Sequence, residues 1–170
     1  MSNEIPFEDW RDVSQLSFEW ADCYDEKNFE RLARILAPTL KIDYTMVFGK
    51  SWRSLPAADF VKMISNPKLL GNPLVQTQHF LGASKYEKIS ETEIHGTHQI
   101  RAAHQKYIEP DKKSVYAKGH GHAIMVHFYK KIDGQWKFAG LRPTVRWNEF
   151  EMDKIWNKFD MEQIWPPTDA

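Results

Sequence analysis

The chain has a single cysteine, Cys23, so neither an internal disulfide nor a cysteine zinc cluster is open to it. An excess of one charge is missing too: 23 basic residues face 23 acidic ones, for a formal charge of +0. No long-range field gathers nucleic acid or an anionic membrane, and neither is expected as a partner. No stretch approaches the ~20 apolar residues of a membrane helix. The opening M-S-N-E-I-P-F-E-D-W lacks a basic region followed by an apolar run, so a cytoplasmic protein without a secretory signal is expected. Repeats, low-complexity tracts and linkers are absent, and 170 residues suit one sizeable core rather than two. A single domain over residues 1–170 is the expectation.

Rings are plentiful: 7 Trp, 6 Tyr and 10 Phe can fill a core or line a pocket for a flat ligand. Trp10, Val13, Trp20 and Tyr24, interrupted by Ser17, predict a helix from Phe7 to Tyr24. Glu8 and Asp9 suit its first turn, and Cys23 reads as a buried thiol. Phe29, Leu32, Ala33 and Leu36 predict a second helix, stopped by Pro38, with Asp25 placed to cap it. Leu40, Ile42 and Tyr44 alternate with polar residues, the mark of a half-buried strand with Tyr44 inward. A third helix is expected from Ser54-Leu55-Pro56 through Phe60, Met63 and Ile64, followed by a loop with Pro67, Gly71 and Pro73.

Four long strands come next, over residues 75–88, 92–107, 118–129 and 135–147, separated by turn residues. Met152, Ile155, Trp156 and Phe159 then return to helical spacing. Helices first and strands afterwards predict an α+β fold, with helices packed on one face of a curved, mostly antiparallel sheet and a C-terminal helical lid.

The third long strand contains K-G-H-G-H-A-I-M-V-H-F-Y, residues 118–129. Alternation puts Gly119, Gly121, Ala123, Met125 and His127 on one face, and His120, His122, Ile124, Val126 and Phe128 on the other. Two glycines and an alanine there admit a close approach to the backbone. His120 and His122 raise the question of a metal, but zinc or iron needs a further ligand that the sequence does not supply, and no metal is expected.

Thr77, His79, Leu81 and Ala83 share one strand face, and His98, Ile100, Ala102 and His104 share another. With Tyr24, Asp25 and Tyr44 they bring two imidazoles, a carboxylate and two phenols toward one interior. Such a set can move protons near neutrality and donate to a developing oxyanion. The residues alone leave the blander reading open, in which Asp25 caps a helix, the histidines are structural and the tyrosines are core.

E-W-A-D-C-Y-D, A-P-T-L-K-I-D-Y, T-Q-H-F-L-G, A-A-H-Q-K-Y, K-G-H-G-H, Y-K-K-I-D-G-Q-W-K-F-A-G-L and R-W-N-E-F resemble fungal scytalone dehydratase, in order and spacing, from about Phe7 to Trp156. The resemblance implies a cone-shaped α+β barrel of the nuclear-transport-factor and ketosteroid-isomerase type, a homotrimer, and no metal or organic cofactor. It implies Tyr24 and Tyr44 holding a water against a substrate ketone, His79 taking the adjacent proton and returning it to the departing hydroxyl, and Asp25 and His104 assisting. It places Val47, Met63, Leu69, Ala123, Met125, Pro143, Met152 and Trp156 at the substrate.

The departures bear on specificity. Ala123 and Met125 stand where the family has a serine and an asparagine that bond substrate hydroxyls, and Val47, Met152 and Trp156 stand for phenylalanines. The expectation is a hydro-lyase acting on a small aromatic polyketide-derived substrate, a hydroxylated ketone of fungal polyketide or melanin-type biosynthesis other than scytalone. The alternative is an isomerase or cyclase of a polyketide or meroterpenoid intermediate using the same acid–base residues.

Overall fold

The computed structural model describes residues 4–157 and 161–168. Helix α1 (Phe7–Asp25) and helix α2 (Phe29–Ile35) open the chain. Strand β1 (Leu36–Tyr44), the short helix α3 (Thr45–Phe48), strand β2 (Lys50–Pro56) and helix α4 (Ala57–Ile64) follow. The long strands are β3 (Val75–Ser90), β4 (Glu93–Tyr107), β5 (Val115–Ile132) and β6 (Gln135–Phe150), and a one-turn helix α5 (Met152–Ile155) comes after them.

The strands form one curved sheet in the order β2-β1-β6-β5-β4-β3. Neighbours are antiparallel except β1 and β6, which run parallel. The sheet does not close into a barrel: β2 and β3 are its two edges, and α1 packs against β3 and β6 on its concave side. No helix among the described residues is long and apolar enough to cross a membrane.

Several local expectations need correction. The stretch before the third helix is strand β2, and the helix starts only at Ala57. Leu36 opens β1 rather than closing α2, and Pro38 sits in the irregular gap of the β1–β6 ladder between Leu36 and Lys41. A proline without an N–H is tolerated where no ladder bond is required. At that gap Gly140 has φ +135°, and a Cβ there would lie 2.0 Å from the carbonyl oxygen of Lys41, so only glycine lets β1 approach so closely. Finally, α2 is capped by Asn28, whose side chain accepts from the backbone N–H of Arg31 at 3.0 Å; Asp25 is turned elsewhere.

The buried stripe of α1 is Val13, Ser17, Trp20, Ala21 and Tyr24, while Trp10 is 44% exposed. Ser17 interrupts the apolar pattern of this stripe. Its hydroxyl instead donates to the carbonyl of Val13 at 3.2 Å and meets the Tyr129 hydroxyl, so the polar atom is satisfied inside. In β3 a bulge between Leu81 and Ser84 displaces Ala83 from the shared face and sets Ser84 opposite His98. The C-terminal segment straps across β2, where the Trp52 indole donates to the carbonyls of Pro167 at 2.9 Å and Pro166 at 3.2 Å. The lid expected over Met152 to Phe159 is helical over Met152–Ile155, and Phe159 lies outside the described residues.

Candidate active site

The carboxylate of Asp25, last residue of α1, crosses to β3. Its Oδ1 accepts from Thr77 Oγ1 at 2.9 Å and from His79 Nδ1 at 2.7 Å, and its Oδ2 accepts from the backbone N–H of His79 at 2.8 Å. A carboxylate has no proton to give, so Nδ1 of His79 carries the hydrogen. Nε2 is thereby left as the ring's lone-pair atom on the cavity side. Only 9% of the His79 side chain is exposed.

Facing it are two phenols. Tyr24 and Tyr44 hydroxyls lie 3.3 Å apart, and the Tyr24 ring meets the His79 ring edge-on at 5.3 Å. Burial pushes the Tyr44 phenol up to about 12 and, with Tyr44 beside it, raises Tyr24 well above its ordinary value. Both therefore remain protonated donors, able to stabilise negative charge on an oxygen placed against them.

His104 stands 6.0 Å from His79, ring to ring. Its Nδ1 lies 3.3 Å from the Gly119 carbonyl and must be the donor. Burial first, and then the proximity of the second imidazole, His79, pull His104 down to about 3. It is a neutral imidazole at physiological pH, with Nε2 as an acceptor.

Four of these side chains share a cavity holding about 780 Å³ of atom-free space, its open mouth included. Tyr24, Tyr44, His79 and His104 line it directly, and Asp25 supports His79 from behind. Val47, Leu69, Ala123, Met125, Pro143, Met152 and Trp156 line it as well. Met63 lies in the core behind that wall, 1% exposed. Trp20, Phe48, Leu70, Val145 and Asn148 also face the cavity. Phe48 and Leu70 sit in a short helix and a loop, where no periodicity flags them, whereas Ile100 and Ala102 of the lining were legible from their alternation with His98 and His104.

A family model for scytalone dehydratase matches residues 4–162. The chain belongs to the scytalone dehydratase family. It is 49% identical to scytalone dehydratase of Pyricularia oryzae, over 91% of this chain and 90% of the relative. It is 47% identical to a dehydratase of Paecilomyces divaricatus, over 91% of this chain and 89% of the relative. The fold matches the crystal structure of the Kfla4162 protein of Kribbella flavida, with a TM-score of 0.72, 17% identity, and coverage of 84% of this chain and 93% of that one. This scytalone dehydratase family member is a dehydratase-like enzyme, a carbon–oxygen lyase.

Of the remaining histidines of this family member, His98 and His127 stand outside the cavity, while His122 borders it from strand β5. His98 bonds Ser84 Oγ through Nδ1 at 2.7 Å and reaches the Tyr129 hydroxyl through Nε2 at 3.3 Å. His127, on the inward face as expected, bonds Tyr129 through Nδ1 at 3.2 Å and is fully buried. Burial alone pulls His98 down to about 4, and burial with its neighbour His98 holds His127 well below the ordinary range. On the opposite face of the sheet, the carboxylate of Glu149 lies 3.2 Å from His122 Nε2 and 3.8 Å from His120 Nδ1. β6 thus brings a carboxylate that the sequence pattern did not reveal, yet no group of three among the described residues is arranged to hold a metal ion.

Proposed function

We propose that this enzyme eliminates water from a hydroxylated, ketone-bearing intermediate of fungal aromatic polyketide or melanin-type biosynthesis. The observation that carries the reading is the His79 tautomer: Asp25 holds Nδ1–H, so Nε2 is a base facing the Tyr24–Tyr44 pair. His79 Nε2 accepts the proton from the carbon beside the carbonyl, and the electron pair moves onto the carbonyl oxygen. Tyr24 and Tyr44, directly or through a held water, donate to that enolate oxygen. The enolate then collapses, the carbon–hydroxyl bond breaks, and the imidazolium returns its proton to the departing hydroxyl as water. His104, a neutral imidazole beside His79, accepts a hydrogen bond from a substrate hydroxyl and orients it. The sequence is redox-neutral and balances with these side chains alone, so it needs no cofactor.

Ala123 and Met125 offer no hydrogen bond to the ligand, and burying substrate hydroxyls against them leaves those hydroxyls unpaired. The substrate is accordingly one other than scytalone. The same observation favours a second reading. Without a polar group at Ala123 to hold a leaving hydroxyl, the proton shuttle serves an isomerase or cyclase. Mass-resolved products from a panel of hydroxytetralones and hydroxylated dihydroanthracenones decide: loss of water supports the dehydratase, and an isomer of unchanged mass supports the alternative. Retention of activity by His79→Ala would overturn both.

A homotrimer accompanies this reading. On the face turned away from the cavity, Phe80, Arg101, His122 and Trp147 form one cross-strand row, and the two aromatics are 58% and 52% exposed in the single chain. Such rings favour burial against another copy. Sedimentation equilibrium at one-third of the trimer mass would overturn it.

A further inference from the structure

A second cross-strand row runs through the cavity: His79 on β3 pairs with Ala102 on β4, Ala102 with Gly121 on β5, and Gly121 with Asn148 on β6. Directly paired residues of antiparallel strands present their side chains to one face. All four residues line the cavity. His79 and Asn148 therefore rise from the two ends of a shared floor, three strand spacings apart, or about 14 Å along the sheet. Between them the floor carries a single methyl group, that of Ala102, so a flat ring system can lie close to the backbone.

Asn148 reaches this face because β6 bulges. His122 pairs with Trp147 but the next residue, Ala123, pairs with Val145, so Arg146 is the extra residue. The bulge resets the alternation and turns Asn148 inward on the same side as Val145. The carboxamide folds over the floor, with Oδ1 3.5 Å from where a Cβ on Gly121 would stand. It makes no hydrogen bond to any described residue. Ala123, Val145 and Met152 in the same lining are apolar, and the His122 side chain is engaged by Glu149 on the opposite face of the sheet.

We propose that Asn148 is a specificity-determining residue. It hydrogen-bonds a hydroxyl or carbonyl substituent at the end of the substrate's ring system remote from the carbon that His79 deprotonates. The assignment of that carbon rests on the dehydratase reading; the recognition itself does not. A carboxamide offers both a donor and an acceptor without charge, so it selects a neutral polar substituent. At the mouth it exchanges water for ligand, which makes its contribution modest, roughly 5–10-fold in affinity. It supplies polarity at one end of a cavity whose deeper wall, Ala123 and Met125, has none.

The test is calorimetric binding to the full chain of two probes that cannot react, 2-naphthol and 2,6-dihydroxynaphthalene, which differ by one hydroxyl at the far end. Asn148→Ala is expected to weaken the diol roughly 5–10-fold and to leave 2-naphthol within about two-fold. Asn148→Gln, which keeps the functional group, is expected to recover part of the loss. Equal weakening of both probes, or an unchanged diol, overturns the inference while leaving the dehydratase reading intact. Failure of either probe to bind the unaltered chain overturns the inference together with the aromatic substrate class. Because binding needs no turnover, failure of the His79 chemistry would leave this result standing.

Discussion

His79 Nδ1 lies 2.7 Å from Asp25 Oδ1, and the same carboxylate takes the backbone N–H of His79 through its other oxygen. One residue at the end of α1 therefore sets both the ring tautomer and the position of the strand that carries it. Asp25→Asn removes the obligate acceptor and lets the imidazole adopt the other tautomer. Turnover is expected to fall by about 100-fold or more, the scale of general acid–base catalysis (~10²–10⁴), with KM little changed. Steady-state kinetics on a folded variant check this, and a kcat within a few-fold of the parent would refute it.

Acid is expected to destabilise the protein through its buried imidazoles. His104 sits at about 3 and His98 at about 4 in the folded chain, both below the ~6.5 of an unfolded histidine. Between those values the unfolded chain binds more protons, so stability rises with pH there. The contribution is complete above about pH 6.5 and is lost as pH falls through the folded values. At about 1.4 kcal/mol per pKa unit the total is several kcal/mol. Urea midpoints measured at pH 7.5 and pH 5 should differ clearly, and His98→Asn should shrink the difference. Equal midpoints would contradict the assignment.

Gly119 is where the C-terminal turn docks on the mouth of the cavity. A Cβ there would lie 2.6 Å from the Met152 Cα and 3.1 Å from an Ile155 side-chain carbon, and the first of these is backbone that cannot simply rotate away. Gly119→Ala is expected to lift α5 and with it Trp156, whose ring meets His104 edge-on at 5.6 Å. Water exclusion would suffer. The expected result is about a 10-fold lower kcat/KM, carried mainly by KM, with faster proteolysis beyond Phe150. Unchanged kinetics would show that the turn does not cover the ligand.

Polarity restored to the deep wall should move the substrate range. The double variant Ala123→Ser, Met125→Asn replaces apolar groups with the polar residue types that the resemblance implies at those places. Each well-made hydrogen bond contributes ~1 kcal/mol, so turnover of scytalone is expected to rise by about 10-fold or more. No gain, or an equal gain across the whole panel, would mean that other residues set the choice.

Much of the site was legible before the fold. Alternation alone put Tyr44, Ile100, Ala102 and His104 inward, and helical spacing put Trp20 and Tyr24 on the buried side of α1. Strand parity also foretold the small floor at Gly119, Gly121 and Ala123, because side chains on a pleated strand must alternate. The missed features all lie where regular spacing breaks. Strand β2 was hidden because Lys50 to Pro56 is mostly exposed and has little apolar alternation. Ala83 was misplaced because β3 bulges, and strict alternation counted from Pro143 would have turned Asn148 outward had Arg146 not interrupted it.

The sequence by itself determined the long helices and the four long strands in their order, the residue types available for proton transfer, and, by resemblance, the family. Those properties follow from local rules of spacing and from side-chain chemistry, which travel with the chain. Only the tertiary structure decided that Asp25 holds His79 instead of capping α2, that Glu149 meets His120 and His122, and that Asn148 shares a floor with His79. The first depends on how α1 docks against β3, and the other two on the β5–β6 register and the bulge that shifts it by one residue. Register is set by packing between segments distant in the chain, and no local pattern encodes it.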